Sequence, residues 1–147
     1  MESALEMKKS VPHWREQGQA IVIFALLVPA MALFLIGILD YMVTNARVME
    51  VVAAADLAAH AGAQEILVNP DGTLANLAEG QAVAELYFRV QAPSEAHLLG
   101  IACGKTQGRP ACQVWTQMPS AGYLIPQRQI QINAIGYLAP GVTRGDQ

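Results

Sequence analysis

The run Ala20 to Leu39, AIVIFALLVPAMALFLIGIL, constrains this chain more than any other segment. It is twenty residues long and carries no charge. A helix rises about 1.5 Å per residue, so this run reaches roughly 30 Å, the thickness of a bilayer's hydrocarbon core. A soluble domain in a chain of 147 residues rarely contains such a run. The expectation is a transmembrane segment over residues 19–40. The apolar stretch continues past Ala30-Met31-Ala32 and exceeds a signal-peptide core, so it reads as a retained anchor.

The flanks set an orientation. Lys8, Lys9 and Arg15 precede the span, and only Arg47 follows it closely. The positive-inside rule then places residues 1–18 in the cytoplasm and the C-terminal part across the membrane. A formal net charge of −3, with no basic block beyond the N-terminal tail, gives no nucleic-acid surface.

Helical periodicity continues beyond the span. Val48, Val51, Val52, Ala55, Ala59, Gly62 and Ile66 recur at spacings of three and four on one face. One helix is therefore expected from about Gln19 to about Val68, stopped by the turn cluster Asn69-Pro70-Asp71-Gly72. A second helix is expected from Thr73, as its cap, to Gln91, with Leu74, Leu77, Val83, Leu86 and Val90 as its apolar face. Period-two alternation then predicts strands at Gln113–Gln117 and Arg128–Ile135, and Leu98–Cys103 is expected as another, with a loop over Gly104–Pro110. The fold class is α+β: a long N-terminal helix with a transmembrane part and a soluble extension, a second helix, and a small antiparallel β-sheet. The extracytoplasmic domain spans 41–139, and 140–147 reads as a disordered tail.

Small residues recur every four positions as Ala54, Ala58, Gly62 and Ala55, Ala59, Ala63. Such a ladder lets helix backbones approach closely, against the second helix or another subunit. Cys103 and Cys112 lie on the exported side, where an oxidising compartment favours a disulfide; the alternative is two buried thiols. Gly100 to Thr106, GIACGKT, has three residues between its glycines, where a phosphate loop needs four, and no helix follows. Asp56 and His60, four apart, read as a solvated pair. No catalytic constellation, metal-ligand cluster, cofactor motif or small-molecule substrate site is evident, and the chain does not read as an enzyme.

Gly18-Gln19-Ala20, Pro29, Asp40-Tyr41 and the stretch Ala54-Ala55-Asp56-Leu57-Ala58-Ala59-His60-Ala61-Gly62-Ala63 together resemble the TadE/TadG-like proteins of bacterial tight-adherence (Flp) pilus systems. The resemblance covers residues 15 to 65. It implies a single-pass protein of the bacterial cytoplasmic membrane with a pilin-like outer domain. Such a protein acts as a minor pilin or pilus-assembly component, at the filament's base or in the surface pilus. Its partners would be the lipid bilayer and other pilus or pilus-assembly subunits, met through helix packing. The pseudopilin branch is cut by prepilin peptidase after a glycine followed five residues later by glutamate. Gly18–Gln19 is the corresponding bond, but Ile23 occupies the glutamate position, which sets the chain with the uncleaved TadG-like branch. The alternative function is a membrane-anchored extracytoplasmic binding module unrelated to pili.

Overall fold

A computed structural model describes residues 14–120, 122 and 126–139. The expected tail residues 1–13 and 140–147 lie outside these. The fold is α+β. Helix α1 runs Trp14–Gln64 and α2 Leu77–Gln91. The strands are β1 (Leu67–Val68), β2 (Leu74–Ala75), β3 (His97–Thr106), β4 (Arg109–Pro119) and β5 (Gln129–Tyr137). The chain divides into two units, residues 1–39 and 40–147.

In the first unit α1 is apolar on every side. From Gly18 to Leu39 every residue is exposed except the half-buried Gly37, and Ile21, Phe24, Leu26 and Phe34 each stand 67–70% exposed. Helices that bury one face in a core are amphipathic, whereas one apolar all round suits a lipid surround. This helix is long and apolar enough to cross a membrane. Pro29 lies inside it, and the helix continues through.

In the second unit the continuing helix becomes one-sided. Val51, Ala54, Ala55, Ala58, Ala59, Ala63 and Ile66 are buried, while Val52 is 37% exposed. The buried face is thus turned slightly from the periodic set expected in sequence, toward the alanines. The helix stops at Gln64, four residues short of the expected end, as Glu65 and Ile66 donate to the carbonyls of Gly62 and Ala63 in tighter turns. Leu67–Val68 instead pairs with Leu74–Ala75 around the expected Asn69-Pro70-Asp71-Gly72 turn.

Thr73 does not cap α2. Its backbone N–H and its hydroxyl both donate to Asp71 Oδ1, and its carbonyl accepts from Asn69 N–H. These hydrogen bonds from Thr73, the side-chain one foremost, hold the Asp71 carboxyl below its ordinary value. Helix α2 starts later, after Asn76 in the left-handed region at φ 60°. Its buried residues are Gly80, Ala84 and Phe88. The expected apolar face divides: Leu74 and Leu77 pack inward against the core, whereas Leu86 is 60% and Val90 70% exposed. Close backbone packing, not side-chain size, selects the inward face.

Strands β3, β4 and β5 form an antiparallel meander in that order. β3 and β4 extend beyond their expected limits at both ends, and β5 starts one residue later than expected and runs two residues further. The expected seven-residue loop reduces to Gln107 and Gly108, both at positive φ (52° and 77°), the geometry of a two-residue type I′ hairpin. Cys112, Val114, Thr116 and Met118 of β4 point to the helices and are fully or nearly fully buried. The Thr116 hydroxyl donates to the His97 carbonyl at 2.9 Å. Gln113, Trp115 and Gln117 lie on the opposite face and are half-buried.

At Gly136 of β5 the sheet touches the helix main chain. A Cβ there would fall onto the backbone of Ala59 and His60. Gly136→Ala should therefore destabilise the domain by about 1–3 kcal/mol or more, the usual range for forcing atoms into a filled core. Gly104→Ala, where a Cβ meets nothing within 4 Å, should change stability by less than about 0.5 kcal/mol. Thermal unfolding of the full chain in micelles, followed by circular dichroism, measures both.

Candidate functional site

The residues singled out in sequence converge on the place where α1 crosses α2. Their common property is small volume. A Cβ at Gly62 would lie 2.6 Å from the Gly80 carbonyl oxygen and 2.8 Å from Ala84 Cβ. A Cβ at Gly80 would lie 2.7 Å from the Gly62 carbonyl oxygen. Real Cβ atoms do not come so close, so glycine is required on both helices.

The ladder residues Ala54, Ala55, Ala58, Ala59, Gly62 and Ala63 are all buried. Ala54, Ala55, Ala58 and Ala59 share one apolar cluster with Phe88 of α2, Val114 of β4 and Ala134 of β5. Of the two partners left open by the sequence, α2 takes this face together with the sheet. The ladder is consumed inside the chain.

Cys103 and Cys112 are joined by a disulfide. They are directly opposed on β3 and β4. The bridge faces inward beneath the helix crossing. Cys112 Sγ lies 3.2 Å from where a Cβ of Gly62 would stand, and Cys103 Sγ 3.5 Å from that of Gly80. Around it pack Ala63, Ile66, Leu74 and Leu77. The sulfurs thus fill the space that two glycines leave empty.

Two polar ties brace the same unit. Arg47 of α1 donates to Glu95, just beyond α2, at 2.7 Å. The Glu95 carboxyl is held below its ordinary value, first by its own backbone N–H and then by the hydrogen bond and charge of Arg47. Lys105 Nζ donates to the Gly72 carbonyl at 2.8 Å, tying the β3–β4 hairpin to the β1–β2 turn.

The other sequence candidates stay apart from this site. Gly18 and Gln19 lie within α1, both exposed, and Ile23 one turn later is 53% exposed. His60 Nε2 stands 3.8 Å from Asp56 Oδ1 with both side chains more than half exposed. The GIACGKT segment is the body of β3, so no helix N-terminus meets it. Among the described residues no group of three or more potential metal-ligating side chains exists. Asp40, directly after the apolar run, is buried and has an interaction partner.

Sequence reading passed over Gly80, Phe88, Trp115 and Gly136. Of these only Trp115 left a usable signal, its place in the strict alternation of β4. Compared with known proteins, the chain matches no family model, no curated protein and no solved structure.

Two outcomes follow from this geometry. The disulfide closes a loop of separation 9, for which loop-closure entropy corresponds to about 2–3 kcal/mol. The Cys103→Ser, Cys112→Ser double variant should lose that much or more, because hydroxyls would enter an apolar space. Non-reduced mass spectrometry should show no free thiol in the native chain. The Arg47–Glu95 tie depends on a lowered carboxyl pKa, so its contribution is full above the ordinary carboxylate value and disappears as pH falls through the lowered one. The stability difference between native protein and Glu95→Gln, measured by thermal melts across pH, should vanish at the acid end.

Proposed function

We propose that this chain is a membrane-anchored structural or assembly component, minor-pilin-like, of a bacterial tight-adherence (Flp) pilus system. The reading places it in the cytoplasmic membrane as a single-pass protein, N-terminus inside and the α+β domain outside. It works by binding other subunits, not by catalysis. Its first eighteen residues remain attached, since Ile23 stands where the peptidase-processed branch carries glutamate.

One observation carries the reading. A single helix is apolar on all sides over residues 18–39 and then supplies the small-residue face of an α+β core over 51–63. The same helix bears the GQA, Pro29, Asp40-Tyr41 and AADLAAHAGA elements in the order found in the TadE/TadG-like family. A continuous anchor and core helix suits a subunit that must hold a small domain at a membrane or hand it to a filament.

The surfaces left for partners are then the apolar segment itself and the outward stripe of α2. Val83, Leu86, Tyr87 and Val90 recur there at three and four, and Leu86, Tyr87 and Val90 are exposed. The buried ladder is not available to another subunit.

Deletion of the gene should abolish or strongly reduce surface pili and surface attachment, with both restored by the native copy. Unchanged piliation and attachment would contradict the proposal. Orientation is tested separately. Alkaline phosphatase fused after Gln147 should be active, and a fluorescent protein that matures only in the cytoplasm should stay dark at the same position.

A further inference from the structure

The face of the β3–β4–β5 sheet turned away from the helices has a composition that packing does not explain. Trp115 stands at its centre, opposite Gly100 on β3 and Asn133 on β5. Gln113 and Gln117 flank it along β4, and Gln131 lies opposite Gln117. The described residues set no helix or strand over this face, and Gln131 and Asn133 are exposed. None of these four side-chain amides makes a hydrogen bond among the described residues, although each carries two donors and an acceptor.

The ring of Trp115 is placed as well as its neighbours. A Cβ at Gly100 would lie 3.9 Å from Trp115 Cε3, so the ring rests against a strand position that has no side chain to wall it in. Ala102, the next β3 residue on that face, is also small. The result is a shallow platform with an aromatic surface in the middle and uncommitted amides beside it.

Chemistry selects the occupant. An anionic lipid surface or a nucleic acid needs clustered cations. Among the described residues this face has one lysine or arginine, Arg109, with His97 opposite Gln117, and the Arg109 guanidinium lies over the Tyr137 ring at 5.0 Å. A second β-sheet would need an apolar face, because two packed sheets share a dry core. Here the amides of Gln113, Gln117, Gln131 and Asn133 surround Trp115, and the apolar Ile135 and Tyr137 stand at one end, opposite Gln113 and Ala111. A neutral polysaccharide fits both halves. The C–H face of a pyranose lies on an indole ring, and its hydroxyls pair with amides that donate and accept. Alternate residues of a strand are roughly 6.5 Å apart, so Gln113, Trp115 and Gln117 can meet successive sugars of one chain.

We infer that the outer sheet face is a binding platform for an uncharged polysaccharide, with Trp115 as the stacking residue and Gln113, Gln117, Gln131 and Asn133 as its hydrogen-bonding rim. The site is independent of whether the domain serves a pilus.

The test uses the full chain in nanodiscs, avoiding sugar-headed detergents that would compete. Trp14→Phe leaves Trp115 as the reporter of indole emission. Chitohexaose, cellohexaose and maltohexaose are the probes. At least one should give a saturable change in emission. Asn133→Ala should weaken binding by about tenfold, equivalent to losing one good contact. Trp115→Ala, followed by calorimetry with unchanged circular dichroism, should abolish it. The inference is overturned if no probe gives saturable binding at millimolar concentration, or if binding persists in a folded Trp115→Ala chain. It is equally overturned if a photo-crosslinker at Asn133 in cells captures a protein whose contact the oligosaccharides do not displace.

Discussion

The fold depends on one constraint, the approach of the α1 main chain to two other main chains at once. Near Gly62 it meets α2 at Gly80, and near Ala59 it meets β5 at Gly136. Contacts this short leave no room for ordinary side chains. They explain why the core of the second unit is built chiefly from alanine, with Phe88, Met118, Ile66, Val51 and Val114 among its larger buried members. A core of small residues removes little apolar area per residue from water, so its stability rests on dense contact and cross-linking more than on bulk burial. The disulfide fits that need: it restricts the unfolded chain and fills the gap beneath the crossing glycines.

The same helix meets two environments. Over residues 18–39 its large apolar side chains point in every direction and find no protein. From Val51 onward its large residues give way to alanine and glycine, and burial appears on one side only. Intramolecular packing in the second unit needs small residues because the partner is another backbone. The first segment carries large apolar residues on every side, a composition that suits a hydrocarbon surround. Residue size, not hydrophobicity alone, marks the change along α1.

Much of this was legible in the sequence where the signal is local. The uncharged run Ala20–Leu39, the small-residue ladder, the Asn69–Gly72 turn and the alternation of β4 each report a single element. The misreadings share a physical cause. Helix α2 shows a strong Leu/Val periodicity, yet its inward face is Gly80, Ala84 and Phe88, because α1 demands close approach at Gly80. That demand is set by a partner remote in sequence. Likewise Gly104 and Pro110 resemble loop residues, but Gln107 and Gly108 alone adopt positive φ, so the strands close around a two-residue turn. Thr73 resembles a cap until the Asx turn at Asp71 claims both its N–H and its hydroxyl. Trp115 was visible in the alternation of β4, but only the sheet register brings Gln131 and Asn133 beside it.

The proposed membrane anchor requires α1 to pass from lipid into a protein core along its length. Spin labels placed singly at successive positions of α1 in the full chain, reconstituted in bilayers, read that passage directly through their accessibility to oxygen and to a water-soluble nickel relaxant. From Ile21 to Ile38 every face should be accessible to oxygen and shielded from nickel, with no periodic variation. From Val51 to Ala63 accessibility should oscillate with a period of about 3.6 residues, reaching minima at Ala55, Ala58 and Ala59. Nickel access throughout the first segment, or a 3.6-residue oscillation already present there, would contradict it.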